Sequence, residues 1–215
     1  MSLFSRGRIP VTAELHSQRP GRKGPVATTV GPRVGRASRN AFEVTLSVDG
    51  TGRCEARTGD SAIDAMLRAV ATRALVDVDV DVDVKNDGLA SNPSHHAAGD
   101  VGAAAGAALL AATGHVGAKG ALGLRGGGHA AVAHGSAFVI VGLELADRST
   151  YIVHDARVVD ASNVITTPTF FFFDAFVREA RLSVHMLVVS GSTEDVLAAA
   201  AKGFAAALRD AVREV

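Results

Sequence analysis

The chain has 215 residues, 47% of them hydrophobic, and its 22 lysines and arginines balance 22 aspartates and glutamates. That is enough apolar chain for one buried core. A single cysteine, Cys54, excludes an internal disulfide framework, and no apolar run approaches the roughly eighteen residues of a membrane span. The zero net charge hides an asymmetry. Residues 1–40 carry eight basic side chains against Glu14 alone (8 − 1 = +7), and the remainder carries 14 − 21 = −7.

Residues 1–35 contain Pro10, Pro20, Pro25 and Pro32 and show no sustained periodicity. They are expected to form a basic arm, extended or disordered. Its Arg/Ser/Thr-rich, acid-poor character is that of an organelle transit peptide, and no continuous apolar segment marks a secretory signal. An intracellular protein of a mitochondrion or plastid is the expectation, with the cytoplasm left open. RNA or an acidic surface is the partner that such an arm, residues 1–39, would suit.

Regular patterns begin at Phe42. Phe42, Val44, Leu46 and Val48 alternate with polar residues as in a half-buried strand. Asp49–Gly52 is a turn, and Arg53–Arg57 returns as a second strand. A helix is expected over Ser61–Arg73, opened by a weak capping box of Ser61 and Asp64. Valine and aspartate alternate from Val76 to Val84, giving a strand with one apolar face and one acidic, solvated face. Next come Asn92-Pro93-Ser94-His95-His96 and an Ala/Gly-rich helix over His96–Thr113, followed by a Gly-rich link at 114–128. The same order then repeats: strands at Ala137–Leu145 and Tyr151–His154, a Phe-rich helix over Pro168–Arg181, a strand at Leu182–Val189 and a last helix over Thr193–Val212. Two successive β-β-α-β-α units make an internally duplicated α+β domain over 36–215, split at about residue 125, with at least six strands.

Adjacent histidines at a helix start are a way to present imidazoles to metal ions, normally with a carboxylate one turn later. Here the residue three past His96 is Gly99. Each candidate also has a structural reading: His95 and His96 capping a helix, His185 as an interior histidine, and Arg125, Arg148 and Lys202 as surface ion-pair partners. Phe170–Phe173 and Phe176 are expected in the core or a subunit contact. His115, His129 and His134 lack ligand spacing and are assigned no role. There is no phosphate loop of the G-x-x-x-x-G-K type, no serine elbow and no Cys-x-x-Cys pair.

In order along the chain stand Val48-Asp49-Gly50-Thr51-Gly52, Thr58-Gly59, Asp64-Ala65-Met66-Leu67, His95-His96 with Asp100-Val101-Gly102, Arg181-Leu182-Ser183-Val184-His185, Lys202, and Ala207-Leu208-Arg209-Asp210-Ala211-Val212. With these markers, residues 33–215 resemble imidazoleglycerol-phosphate dehydratase, a di-manganese enzyme of histidine biosynthesis. The resemblance implies the duplicated fold of two sheets with a helix layer (also described as like the second domain of ribosomal protein S5). It further implies assembly through trimers into 24-subunit shells with active sites between subunits. It makes His95, His96 and His185 metal-ligand positions, and Arg125, Arg148 and Lys202 phosphate-binding positions.

Several positions depart from the family pattern. The ligand histidine of Asp-His-Met-Leu is Ala65. The glutamate of the first His-His-x-x-Glu is Gly99, and the second such motif reads Glu194-Asp195-Val196-Leu197-Ala198. The Met-Asp-Glu segment aligns with His134-Gly135-Ser136, and the glutamate before the first strand falls at Arg39. From these losses the expectation is a non-catalytic structural or interaction subunit of a larger assembly, a homo- or hetero-oligomer, with no cofactor. Two alternatives stand beside it. One is the dehydratase itself, with manganese, active alone or in mixed oligomers with an intact paralogue. The other is a module that binds a phosphorylated small molecule.

Overall fold

A computed structural model describes residues 24–31, 33–82, 94–114, 123–146, 148–157 and 167–215. Among them are nine strands and four helices. The first sheet holds β1 (Val26–Gly31), β2 (Val34–Arg39), β3 (Phe42–Ser47), β4 (Cys54–Ala56) and β5 (Asp77–Val82), in the order β1-β2-β3-β5-β4. The second holds β6 (Gly127–His134), β7 (Ala137–Leu145), β8 (Thr150–Asp155) and β9 (Leu182–Ser190), in the order β6-β7-β9-β8. Without β1 the two orders are the same, and in each sheet only the last pair, β4/β5 and β8/β9, is parallel. The duplicated α+β fold is therefore a matter of topology as well as of sequence pattern.

Nine strands meet the expected minimum of six, and those that the sequence pattern did not mark escaped it for a physical reason. The first strand of each half, β2 (VGRASR) and β6 (GGHAAVAH), is built of small or polar residues with no apolar alternation. Each is fixed by a two-residue hairpin to the strongly patterned strand that follows, pairing Arg39 with Phe42 and His134 with Ala137. β1 lies within the stretch expected as an arm, and it adds to the sheet edge antiparallel to β2. The sheet thus begins before residue 36. Residues 1–23 lie outside the described residues.

Four helices fill the space between the sheets: α1 (Ser61–Ala74), α2 (Ser94–Thr113), α3 (Pro168–Glu179) and α4 (Thr193–Val212). The second helix of each half covers its own sheet and packs against the first helix of the other half, α2 on α3 and α4 on α1. Close approach is bought by glycine at matching places: a Cβ on Gly35 would run into the carbonyl of Ala108, and one on Gly128 into that of Ala207. Phe172, Phe173 and Phe204 are fully buried, with the rings of Phe173 and Phe204 4.8 Å apart, so the Phe-rich helix belongs to the core. Helix α1 is capped by Asp60, whose carboxylate accepts from the N–H groups of Ala62 and Ile63. The expected Ser61/Asp64 box does not form. Asp64 instead accepts from the Thr58 N–H and hydroxyl at 3.0 and 2.7 Å. The acidic row of β5 faces outward beside β3, with Glu43 opposite Asp81 and Thr45 opposite Asp79.

Asp77 fastens the turn of the first half. Its Oδ1 accepts from the backbone N–H groups of Thr51, Gly52 and Arg53 at 2.8–3.0 Å. Burial alone would raise this carboxyl, but the three N–H groups outweigh it and hold it below the ordinary carboxylate range. A depressed carboxyl stabilises the fold above its unfolded-state value, and that contribution is lost as pH falls through the folded-state value. Asp77→Ala should therefore cost about 1–2 kcal/mol at neutral pH. In urea denaturation the gap between variant and parent should narrow in acid. A gap independent of pH would assign the loss to packing.

Candidate functional site

The two hairpins bring together, in each half, the segments at which a metal centre was expected. In the first half, the β2–β3 turn meets the start of α2. Arg39 lies 3.2 Å from Asp100 through its Nε, and Asn40, held at φ 52°, donates to the other Asp100 oxygen at 2.6 Å. Asp100 is only 2% exposed. In the second half, the β6–β7 turn meets the start of α4. The Ser136 N–H and hydroxyl donate to Asp195 at 2.9 and 2.6 Å. These bonds hold the Asp195 carboxyl below its ordinary value. Each half thus fastens its first hairpin to a carboxylate in the second helix.

Those contacts bear on the metal. Among the described residues, no three His, Cys, Asp or Glu side chains converge as a metal site. Asp100 and Asp195 are engaged as hairpin anchors. Arg39 brings a cation to where a carboxylate was expected, Ala65 has no donor atom, and a Cβ on Gly99 would meet nothing within 4 Å. His96 is half-buried in the first turns of α2, and the side chain of His95 lies outside the described residues, as do Asn92 and Pro93. His185 projects from the outer face of the second sheet, its ring 6.4 Å from that of His154. The described residues do not fit a resident two-metal centre within one chain. Sequence reasoning missed the His154–His185 pair, whose signal is the parallel register that sets Ile152 beside His185.

A second feature joins the halves. A groove of about 950 Å³ runs between α1, α4 and the edge strand β6. Arg68 and Arg73 line it from α1, Lys202 and Arg209 from α4, Arg213 from just past the end of α4, and His129 from β6. Ala65, Ala69 and Ala206 form its floor. Lys202 also reaches Nδ1 of His134 at 2.8 Å. Of the three expected phosphate-binding residues, only Lys202 lines this groove. Arg125 sits beside it, 3.5 Å from Asp210, which does line it. Arg148 is exposed in the connection between β7 and β8. Part of this groove carried a legible signal, since Lys202 and Arg209 fall on one face of α4, as do Ala65, Arg68, Ala69 and Thr72 on α1.

With this geometry in view, the comparisons are specific. Residues 58–208 match the family model described as imidazoleglycerol-phosphate dehydratase. The chain is 34% identical over 188 residues to the protein of that name from Ruminiclostridium cellulolyticum, covering 84% of this chain and 92% of the relative. It is 31% identical to that of Methanothermobacter thermautotrophicus, over 80% of this chain and 84% of the relative. In structure it resembles the Staphylococcus aureus dehydratase, with a TM-score of 0.67 at 20% identity over 84% of this chain and 98% of the other. Pyrococcus furiosus dehydratase gives 0.61 at 20% identity, over 84% and 94%. The expectation of a non-catalytic structural subunit is overturned by these relatives, which carry the name of the histidine-pathway enzyme along nearly their whole length. Among the described residues, no helix is long and apolar enough to cross a membrane.

Proposed function

Because the chain belongs to the imidazoleglycerol-phosphate dehydratase family, we propose that it takes part in the dehydration of imidazoleglycerol phosphate, within a mixed assembly that includes an intact member of the family. The observation that carries this reading is the cationic groove, in which Lys202 and position 65 line one cavity. In this reading Lys202 holds the phosphate as a point charge at the groove wall, and Arg125, paired with the groove residue Asp210, reinforces the local field. The Lys202–His134 contact fixes the ammonium against the hairpin. Manganese in the assembly is held by ligands of the intact copies, since the described residues of this chain do not complete such a set.

The test is turnover of imidazoleglycerol phosphate with manganese, by this chain alone and after co-assembly with an intact dehydratase. Co-assembly should raise the rate per intact subunit, and Lys202→Met in this chain should remove most of the rise. A rate that only follows the number of intact subunits, indifferent to Lys202→Met, would overturn the proposal. Turnover by this chain alone would show that it holds a whole metal centre.

A further inference from the structure

We infer that the groove between α1 and α4 binds an anion carrying a chain of two or more linked phosphate groups, free or as part of a nucleotide. The inference shares the groove and Lys202 with the dehydratase reading, but it is argued from the groove's charge and not from any reaction. Five cationic side chains line it against one carboxylate, Asp210, a balance of 5 − 1 = +4 with His129 neutral. Among the described residues, Arg68, Arg73, Arg209 and Arg213 take part in no side-chain ion pair. Like charges gathered this way oppose folding unless something of opposite sign lies among them.

Geometry narrows the ligand. Lys202 and Arg209 are seven residues apart on α4, about 10 Å along the helix, with Arg213 in the extended segment just past its end, and Arg68 and Arg73 extend over about 7 Å of α1. A single phosphate would engage two or three of these groups and leave the rest uncompensated, whereas a phosphate chain follows the row. Arginine adds paired donors suited to adjacent phosphate oxygens. The alanine floor lets such a chain lie close to both helices. No Phe, Tyr or Trp lines the groove, so the stacking platform on which single-stranded nucleic acid depends is missing, which favours a small anion over RNA.

Calorimetric titration of the full-length chain with orthophosphate, inorganic triphosphate, ATP and a single-stranded RNA dodecamer tests this. Triphosphate should bind at least about tenfold more tightly than orthophosphate and weaken as salt is raised. ATP binding like triphosphate would make the phosphate chain the whole determinant, and ATP binding more tightly would identify a nucleotide as the ligand. The double variant Arg73→Gln/Arg213→Gln, both exposed positions, should lose about tenfold or more in triphosphate affinity. Arg53→Gln, on the first sheet, should change nothing. Equal affinity for orthophosphate and triphosphate, no binding of either, indifference to the double variant, or tighter binding of the RNA would each overturn the inference. The readouts stay separate: these titrations measure the phosphate chain, while the dehydratase proposal is decided by turnover after co-assembly and its loss on Lys202→Met.

Discussion

Gly106→Ala is expected to destabilise the chain by about 3 kcal/mol, while Gly99→Ala on the same helix stabilises it by about 0.5–1 kcal/mol. Helix propensity favours alanine over glycine at both positions by the same amount, so propensity cannot separate them. Packing does. At Gly106 a Cβ would fall on the Phe176 carbonyl and 3.0 Å from the Ala180 N, both backbone atoms that cannot swing away. At Gly99 the same Cβ meets nothing within 4 Å. Urea denaturation of the two variants measures the difference directly. Equal signs would mean that α2 and α3 separate easily, contrary to the backbone contact of Gly106 with Phe176.

Arg39→Glu is expected to cost about 4 kcal/mol, although glutamate is the residue that the resemblance implies at this position. Removing one partner of a buried ion pair typically costs about 3–5 kcal/mol, and here the replacement is a second carboxylate facing Asp100. Arg39 and Asp100 have side chains 13% and 2% exposed, so water does little to screen the new pair. Two adjacent carboxyls raise each other's proton affinity. A raised carboxyl favours the folded state in acid and opposes it as pH rises, so the loss should be smaller at mildly acid pH than at neutral pH. Arg39→Met, without the added charge, should cost less and show a weaker pH dependence. If Arg39→Glu proves as stable as the parent, Asp100 does not depend on Arg39 for its charge balance.

That second case shows how far sequence reasoning reached. Apolar alternation located β3, β7 and β9 because hydrophobic burial drives those strands. The same logic passed over β2 and β6, which are held by pairing and by hairpin turns. The positions where the resemblance implies ligands and this sequence offers none were legible as Ala65, Gly99 and Arg39. What replaced them was not, because the Arg39–Asn40–Asp100 contact joins residues about sixty positions apart. The same holds for Ser136 and Asp195, and pairwise contacts of that span leave no local pattern. Of the groove arginines, Arg68, Arg73 and Arg209 were legible in principle, since each lies on a helical face with other lining residues, whereas Arg213 lies past the end of α4. The basic positions that the resemblance implies, Lys202, Arg125 and Arg148, do not include them.

Helix α2 carries a consequence for how such a chain could have arisen. From Ala97 to Leu109 almost every side chain is buried, and the helix has no polar flank to turn toward water. A single ancestral half built like the first would have exposed that helix on the side now covered by α3. It could not have persisted as a solitary soluble unit. A half-length ancestor of this kind would have needed a second copy across this helix layer. In the joined chain, change is least free at glycines such as Gly106, where the halves touch.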